Sequence, residues 1–284
     1  MGLESKLAKA LLATSLLSPF SYTLPARAEP PKDEKKQEEP QDPSLLSRIV
    51  SGMTGSAVGA ITPQKDSHRD LKEHYLRGEW SHVEQVAKKI LENEPEDLET
   101  RYLLASTLAD QKRTSEATSH YEFMIARNDP RGVAGKISML VFSNKKSEAR
   151  KLFEGAVQRY KDCAQLFFAK GQLLESENDK SAEDAYKKAI DLDSSDCRWY
   201  SQLGLWYTRN NRLDNAIQTL EKGTQLNEFA FGLFNLGSAY AKSGRMDESQ
   251  RIFARLLEIN PSFPRAQEAA KYVKSQVALN TQSR

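Results

Sequence analysis

The side chains able to do chemistry in this chain concentrate in one short stretch. His68, His74 and His82 follow one another closely, with Glu73 and Glu79 among them. Imidazole and carboxylate together are zinc-ligand types, and an imidazole held by a carboxylate is a general base. A metal needs three or four converging ligands, however, and these spacings put no more than two on one helical face. The stretch therefore reads as solvated helix histidines, with no metal and no cofactor. A catalytic protein built on this cluster is the least favoured of three functional classes. No nucleophile elbow, phosphate-binding loop, HExxH or CxxC motif occurs in the chain. Glu94, Glu96 and Asp97 fall at a helix exit, and Lys145-Lys146 and Lys187-Lys188 are exposed helix charges rather than a nucleic-acid stripe. The expectation is a protein that is not an enzyme.

Charge and composition point the same way. The 284 residues carry 41 Lys and Arg against 39 Asp and Glu, a net charge of +2. No global field recruits nucleic acid or an anionic membrane surface. Cys163 and Cys197 occupy matching positions at the starts of successive first helices. Packed helices lie about 10 Å apart while a disulfide needs Cα atoms within about 7 Å. Two small, partly buried thiols are the reading, with a distorted bridge as the alternative.

The N-terminal part has its own logic. Residues 1–28 have a weakly basic start at Lys6 and Lys9, then an apolar run from Ala10 to Phe20 too short to span a bilayer. Ala26-Arg27-Ala28 is an A-x-A cleavage site. An exported protein follows, in a bacterial periplasm or another secretory compartment, with no firm membrane insertion after cleavage; an uncleaved anchor is the alternative. Residues 29–63 form a linker: a Pro-rich charged tether to Leu46, then a segment with Gly52, Gly55 and Gly59 among apolar residues. That segment is a flexible linker or, alternatively, a self-associating or membrane-touching stretch.

What positions everything else is a repeat. Leu203, Gly204, Tyr207, Ala216 and Leu220 recur 33 residues later as Leu236, Gly237, Tyr240, Ser249 and Phe253. A fixed period of this length marks a solenoid of helix pairs. Second helices show a small–bulky–small rhythm at i, i+4, i+7: Val83, Ala87, Ile90; Ala117, Tyr121, Met124; Ala149, Phe153, Ala156; Ala182, Tyr186, Ala189; Ala216, Leu220, Gly223; and Ser249, Phe253, Leu256. Gly78, Asn144, Asn211 and Gly244 stand where a left-handed residue ends each first helix, while Lys112 at the equivalent place leaves the second unit less defined. Units run over about 64–97, 98–129, 130–162, 163–196, 197–229 and 230–263. Residues 264–284 add a capping helix, with Ala266, Ala269, Ala270, Val273 and Val277 on its apolar side.

These residue types and offsets resemble the tetratricopeptide repeat family, strongly in the last two units and in degenerate form in the first three. The signature Trp is replaced by Tyr200 and Leu233, and the signature Pro is kept as Pro95 and Pro261 but replaced by Ser194 and Glu228. The resemblance implies an all-α, right-handed solenoid of about six helix-turn-helix repeats. It also implies protein or peptide partners, bound in a concave groove lined by first helices. Carried over, the groove positions are Tyr102, Ser106, Phe167, Arg198, Gln202, Phe231, Phe234, Asn235 and Lys242. Rings supply contact area there and amides pair with a partner's backbone; for Phe167 and Phe231, packing between first helices is the competing role. The family's two-carboxylate clamp is absent, since Ser201, Leu205 and Asn235, or His68, Lys72, Leu103, Arg131 and Gly135, stand at its positions. The expected function is a non-catalytic interaction scaffold in assembly or maintenance of an envelope or secretory complex. The alternative is an accessory or regulatory subunit of an envelope enzyme or secretion system.

Overall fold

The computed structural model describes residues 63–282 apart from Pro264, with side chains described from Ser67 to Leu279. The expected export signal, the tether and the glycine-containing segment lie outside the described residues. Among those described there are thirteen helices and no strand: α1 (Pro63–Arg77), α2 (Trp80–Asn93), α3 (Leu98–Asp110), α4 (Thr114–Ala126), α5 (Pro130–Phe142), α6 (Lys146–Val157), α7 (Ala164–Ser176), α8 (Ala182–Leu192), α9 (Cys197–Arg209), α10 (Leu213–Leu226), α11 (Ala230–Lys242), α12 (Met246–Ile259) and α13 (Ala266–Gln282). They pair in sequence into six helix-turn-helix units, each first helix also touching the first helix of the next unit along most of the chain, with α13 covering α11 and α12. This is an all-α tetratricopeptide-type solenoid.

Local chemistry sets the helix ends. Asp97, Asp129 and Asp196 cap α3, α5 and α9, their carboxylates accepting from backbone N–H groups of the first turn. Pro130 follows its cap at the position where a missing N–H costs nothing. Within units, Gly78, Asn144, Asn211 and Gly244 all take positive φ, and so does Lys112, so the second unit turns like its neighbours despite its residue type. Asn178 makes the same turn in the fourth unit, and Asn128 a left-handed turn between the second and third units. Asn is the side chain that tolerates this region best after Gly.

The two helices of a unit differ in how they are buried. In α2, α4 and α6 only the expected triplets are buried, a single stripe on each. By contrast α3, α9 and α11 are buried on nearly every side, since each lies between its own second helix, the neighbouring units and the interior. At Gly237 an added Cβ would stand 3.0–3.1 Å from the Phe253 ring, so the absence of a side chain lets α11 and α12 meet. In α13, Ala266, Ala269 and Val273 are buried and cover the last unit. No helix among the described residues is long and apolar enough to cross a membrane.

The superhelix turns far enough for its first unit to meet its last. Trp80 stacks on Phe231 at 5.5 Å between ring centroids, and Tyr75 on Phe229 at 6.3 Å. Asn260 Nδ2 donates to the carbonyl of Arg77 at 2.8 Å, and the turn at Gly78 rests against Asn260 and Phe263. One apolar cluster accordingly contains Leu71 and Tyr75 of α1 together with Phe229, Phe231, Phe234 and Phe263.

Candidate functional site: the inner face of the solenoid

Closure of the first unit onto the last converts part of the concave surface into an interior. Six of the nine groove candidates, Tyr102, Ser106, Arg198, Gln202, Phe231 and Asn235, line one cavity of about 90 Å³. That volume holds a few waters and is well below the roughly 300 Å³ at which ligand pockets begin. The same wall includes Tyr75, Asp110, Tyr121 and Gln165.

This interior is polar and only partly paired. Arg198 donates to the cap carboxylate Asp196 through Nε at 2.9 Å and lies over the rings of Tyr75, Tyr102 and Trp199 at 5.1–5.6 Å. Burial works against both charges; even so, Arg198 holds the Asp196 carboxyl below the usual carboxylate range. Asp110 has no such partner, and burial pushes its carboxyl well above that range, Arg198 offsetting only part of the shift. Burial also raises the Tyr75, Tyr102 and Tyr121 hydroxyls, which remain neutral hydrogen-bonding groups.

Away from the seam the inner face is open. A groove of about 620 Å³ runs across the C-terminal ends of α5, α7 and α9, where Ser138, Gln172, Glu175, Gln202, Trp206 and Arg209 are among its lining residues. A smaller opening of about 250 Å³ lies over the N-terminal ends, against Lys72, Arg131 and Asp193. Ser138 and Gln202 line both cavity and groove, while Tyr75, Tyr102, Gln165 and Arg198 line both cavity and smaller opening.

A ladder of hydrogen bonds at the repeat period crosses this face. Ser138 Oγ donates to Gln172 Oε1 at 2.6 Å, Arg209 Nη1 to Glu175 Oε1 at 2.5 Å, Asn235 Nδ2 to Ser201 Oγ at 3.1 Å, and Lys242 Nζ to the Thr208 carbonyl at 2.7 Å, each pair 34 residues apart. Gln202 Nε2 reaches Glu175 Oε2 at 3.3 Å. Three groove candidates, Gln202, Asn235 and Lys242, thus already hold neighbouring first helices together. The remaining two sit elsewhere. Phe234 is 2% exposed and packs against Phe253 and Phe263, while Phe167, half-buried, meets Phe153 edge-on at the margin of the core. Trp206 and Arg209 of the open groove escaped the sequence reading, although Arg209 stands one 33-residue period before Lys242, which was among the positions carried over.

The cysteines are both free and buried. Burial pushes the Cys197 thiol up to about 12 and raises that of Cys163, so neither forms a thiolate readily. Counting ligands on a single helical face overlooked the hairpin: His74 of α1, Glu79 of the turn and His82 of α2 bring their donor atoms within 4.8 Å of one another.

An inner face of this kind, walled by stacked first helices and carrying polar groups at the repeat period, defines an interaction solenoid. Residues 199–229 and 232–263 match one profile described as tetratricopeptide repeat, and residues 140–196 match a second of the same description. These three segments, less than half of the chain, are thus similar to tetratricopeptide repeats. Among solved structures it is similar to "Crystal structure of APC/C hetero-tetramer Cut9-Hcn1", with 16% identity, a TM-score of 0.53, and coverage of 72% of this chain and 42% of that one. This chain thus spans less than half the length of that relative, and the likeness shows the fold alone. A looser similarity, with a TM-score of 0.43 and 21% identity over 65% of this chain and 97% of the other, links it to "YrrB: a TPR protein with an unusual peptide-binding site". Comparison with curated proteins finds no match.

Proposed function

We propose that the protein is a non-catalytic interaction scaffold that captures an extended segment of a protein partner in the groove across α5, α7 and α9. The observation carrying this reading is the 620 Å³ groove itself, open beside a closed seam and lined by polar groups from three successive first helices. Gln172, Gln202 and Asn210 can pair with a partner's backbone, and Lys180 and Arg209 with its carboxylates. The seam cavity contributes rigidity: it is too small to admit a peptide, and the Asn235–Ser201 pair in its wall ties two units together. Export to an envelope or secretory compartment, supported by the apolar run and Ala26-Arg27-Ala28, would place the partner in an envelope complex.

Asn210 and Lys180 are exposed at the groove's lip, while Glu154 is exposed on the second helix α6. Photo-cross-linking groups placed at these positions, one per variant, test the reading in the native envelope fraction. Adducts to the same partner from positions 180 and 210, and none from 154, are the expected result. Adducts only from position 154 would move the binding surface to the convex side. N-terminal sequencing of the protein from that fraction should begin at Glu29; an intact Met1 would overturn cleavage.

A further inference from the structure

The α1–α2 hairpin gathers three metal-ligand side chains that partner binding does not use. His74 stands in the last turn of α1, Glu79 in the turn, and His82 near the start of α2. Gly78, at φ +72°, reverses the chain in so little space that the two helix ends lie side by side. His74 Nδ1 lies 2.5 Å from Glu79 Oε2, and the two imidazole rings stack with centroids 5.0 Å apart and 16° between planes. The side chains of His74 and Glu79 are about a quarter exposed, at 27% and 25%, and His82 is exposed, so all three are reachable from solvent. The neighbouring cation Arg77 pairs with Glu73 at 2.5 Å.

We propose that His74, Glu79 and His82 form a binding site for a divalent d-block cation, zinc above all, with a coordination position left for water or a partner's side chain. Two imidazoles and one carboxylate are borderline donors that favour zinc, nickel or copper over magnesium and calcium. Three protein ligands with an open position are a common zinc arrangement. Ligand atoms at about 2.0–2.1 Å from a tetrahedral ion stand about 3.3 Å from one another. Closing the trio from within 4.8 Å therefore takes side-chain rotation and no backbone shift. Cation binding opens the His74 Nδ1–Glu79 Oε2 hydrogen bond; a neutral imidazole frees its Nδ1 lone pair by moving that proton to Nε2 through solvent, with no other covalent bond made or broken.

A second trio, His68, Glu94 and Asp97, also converges within 4.8 Å. Asp97 is already committed there, accepting from the backbone N–H groups of Glu99 and Thr100 and from Thr100 Oγ1 as the cap of α3. The hairpin trio carries no such duty. It also sits on the turn that rests against Asn260 and Phe263, so a bound cation would pin α1 to α2 where the superhelix closes. Metal at this place would stabilise the seam.

The test uses the full chain, freed of any affinity tag and treated with chelator, and zinc chloride as the probe in calorimetric titration. One zinc per chain is expected, with a melting temperature raised by roughly 5 °C at zinc a hundredfold above its dissociation constant. The double variant His74→Ala, His82→Ala should lose at least a hundredfold in affinity and lose the shift, while His68→Gln keeps both. No heat with the unaltered protein, full binding by the double variant, loss of binding in His68→Gln, or equal binding of magnesium would each overturn the site. Zinc-free melting of each variant checks the fold. Should the double variant fail it, Glu79→Gln decides, by weakening zinc binding at least tenfold or leaving it unchanged.

Discussion

The seam and the open groove are built from the same kind of helix pair and yet do opposite things. At the seam, Trp80, Phe229, Phe231 and Phe263 interlock and leave about 90 Å³ of space; across α5, α7 and α9, Ser138, Gln172, Glu175 and Arg209 pair with one another and leave about 620 Å³ open. Aromatic rings stabilise by excluding water, so surfaces that carry them close on each other. Polar side chains that satisfy one another along the face need no cover, and the groove stays accessible. The contrast teaches that the open surface of a tight solenoid belongs to the units that do not take part in closure.

The largest expected effect strikes the seam. Phe231 is 6% exposed and touches Trp80, Phe229 and Phe263. Phe231→Ala should lower stability by about 3–4 kcal/mol. Hydrogen exchange should speed up in α1 and α2 well before α7–α9; uniform exchange across all units would mean that the seam is not a separate contact. Next comes the support beneath it. Gly237→Leu forces a side chain against Phe253 and should cost about 1–3 kcal/mol in denaturant unfolding. Unchanged stability would show that α11 and α12 are not in close approach.

The smallest effect belongs to the fourth and fifth units, where an ion pair between Glu183 and Arg212 adds to their shared apolar core. Burial alone would raise the Glu183 carboxyl, but hydrogen bonds from Lys187, Arg212 and Tyr207 lower it to about 2. Its folded-state value lies below the ordinary one near 4.5, so the stability it contributes is present above that pH and fades as pH falls towards 2. After solvent screening this is about 1 kcal/mol. Glu183→Gln should therefore melt lower than the unaltered protein at pH 6 and converge with it near pH 2. Parallel curves would remove charge from the account of how these units join.

Much of the fold was legible in the chain because each second helix buries one stripe. A single stripe leaves a clean 3.6-residue rhythm, and all six predicted triplets are core, with Phe153 the most exposed of the large ones at 8%. First helices such as α3 and α11 are buried on almost every face, which blurs their period and hides which side looks inward. For that reason the candidates taken from them scattered into cavity wall, inter-unit ladder and plain core. The turns at Gly78, Asn144, Asn211 and Gly244 were readable from their residue types, whereas Lys112 takes positive φ although its residue type does not favour it.

What the sequence alone determined is local: the helix pairs, their turns, their caps and the stripe each second helix buries, all set by contacts within one unit or its neighbour. The tertiary structure decided what depends on rotation summed over six units. It decided that α2 meets α11, that Arg198 and Asp110 look into a cavity instead of a groove, and that the open surface lies over α5, α7 and α9. It also laid His74 beside His82. A small rotation per repeat is fixed by packing at each interface, and no single repeat records where the sum of those rotations returns the chain.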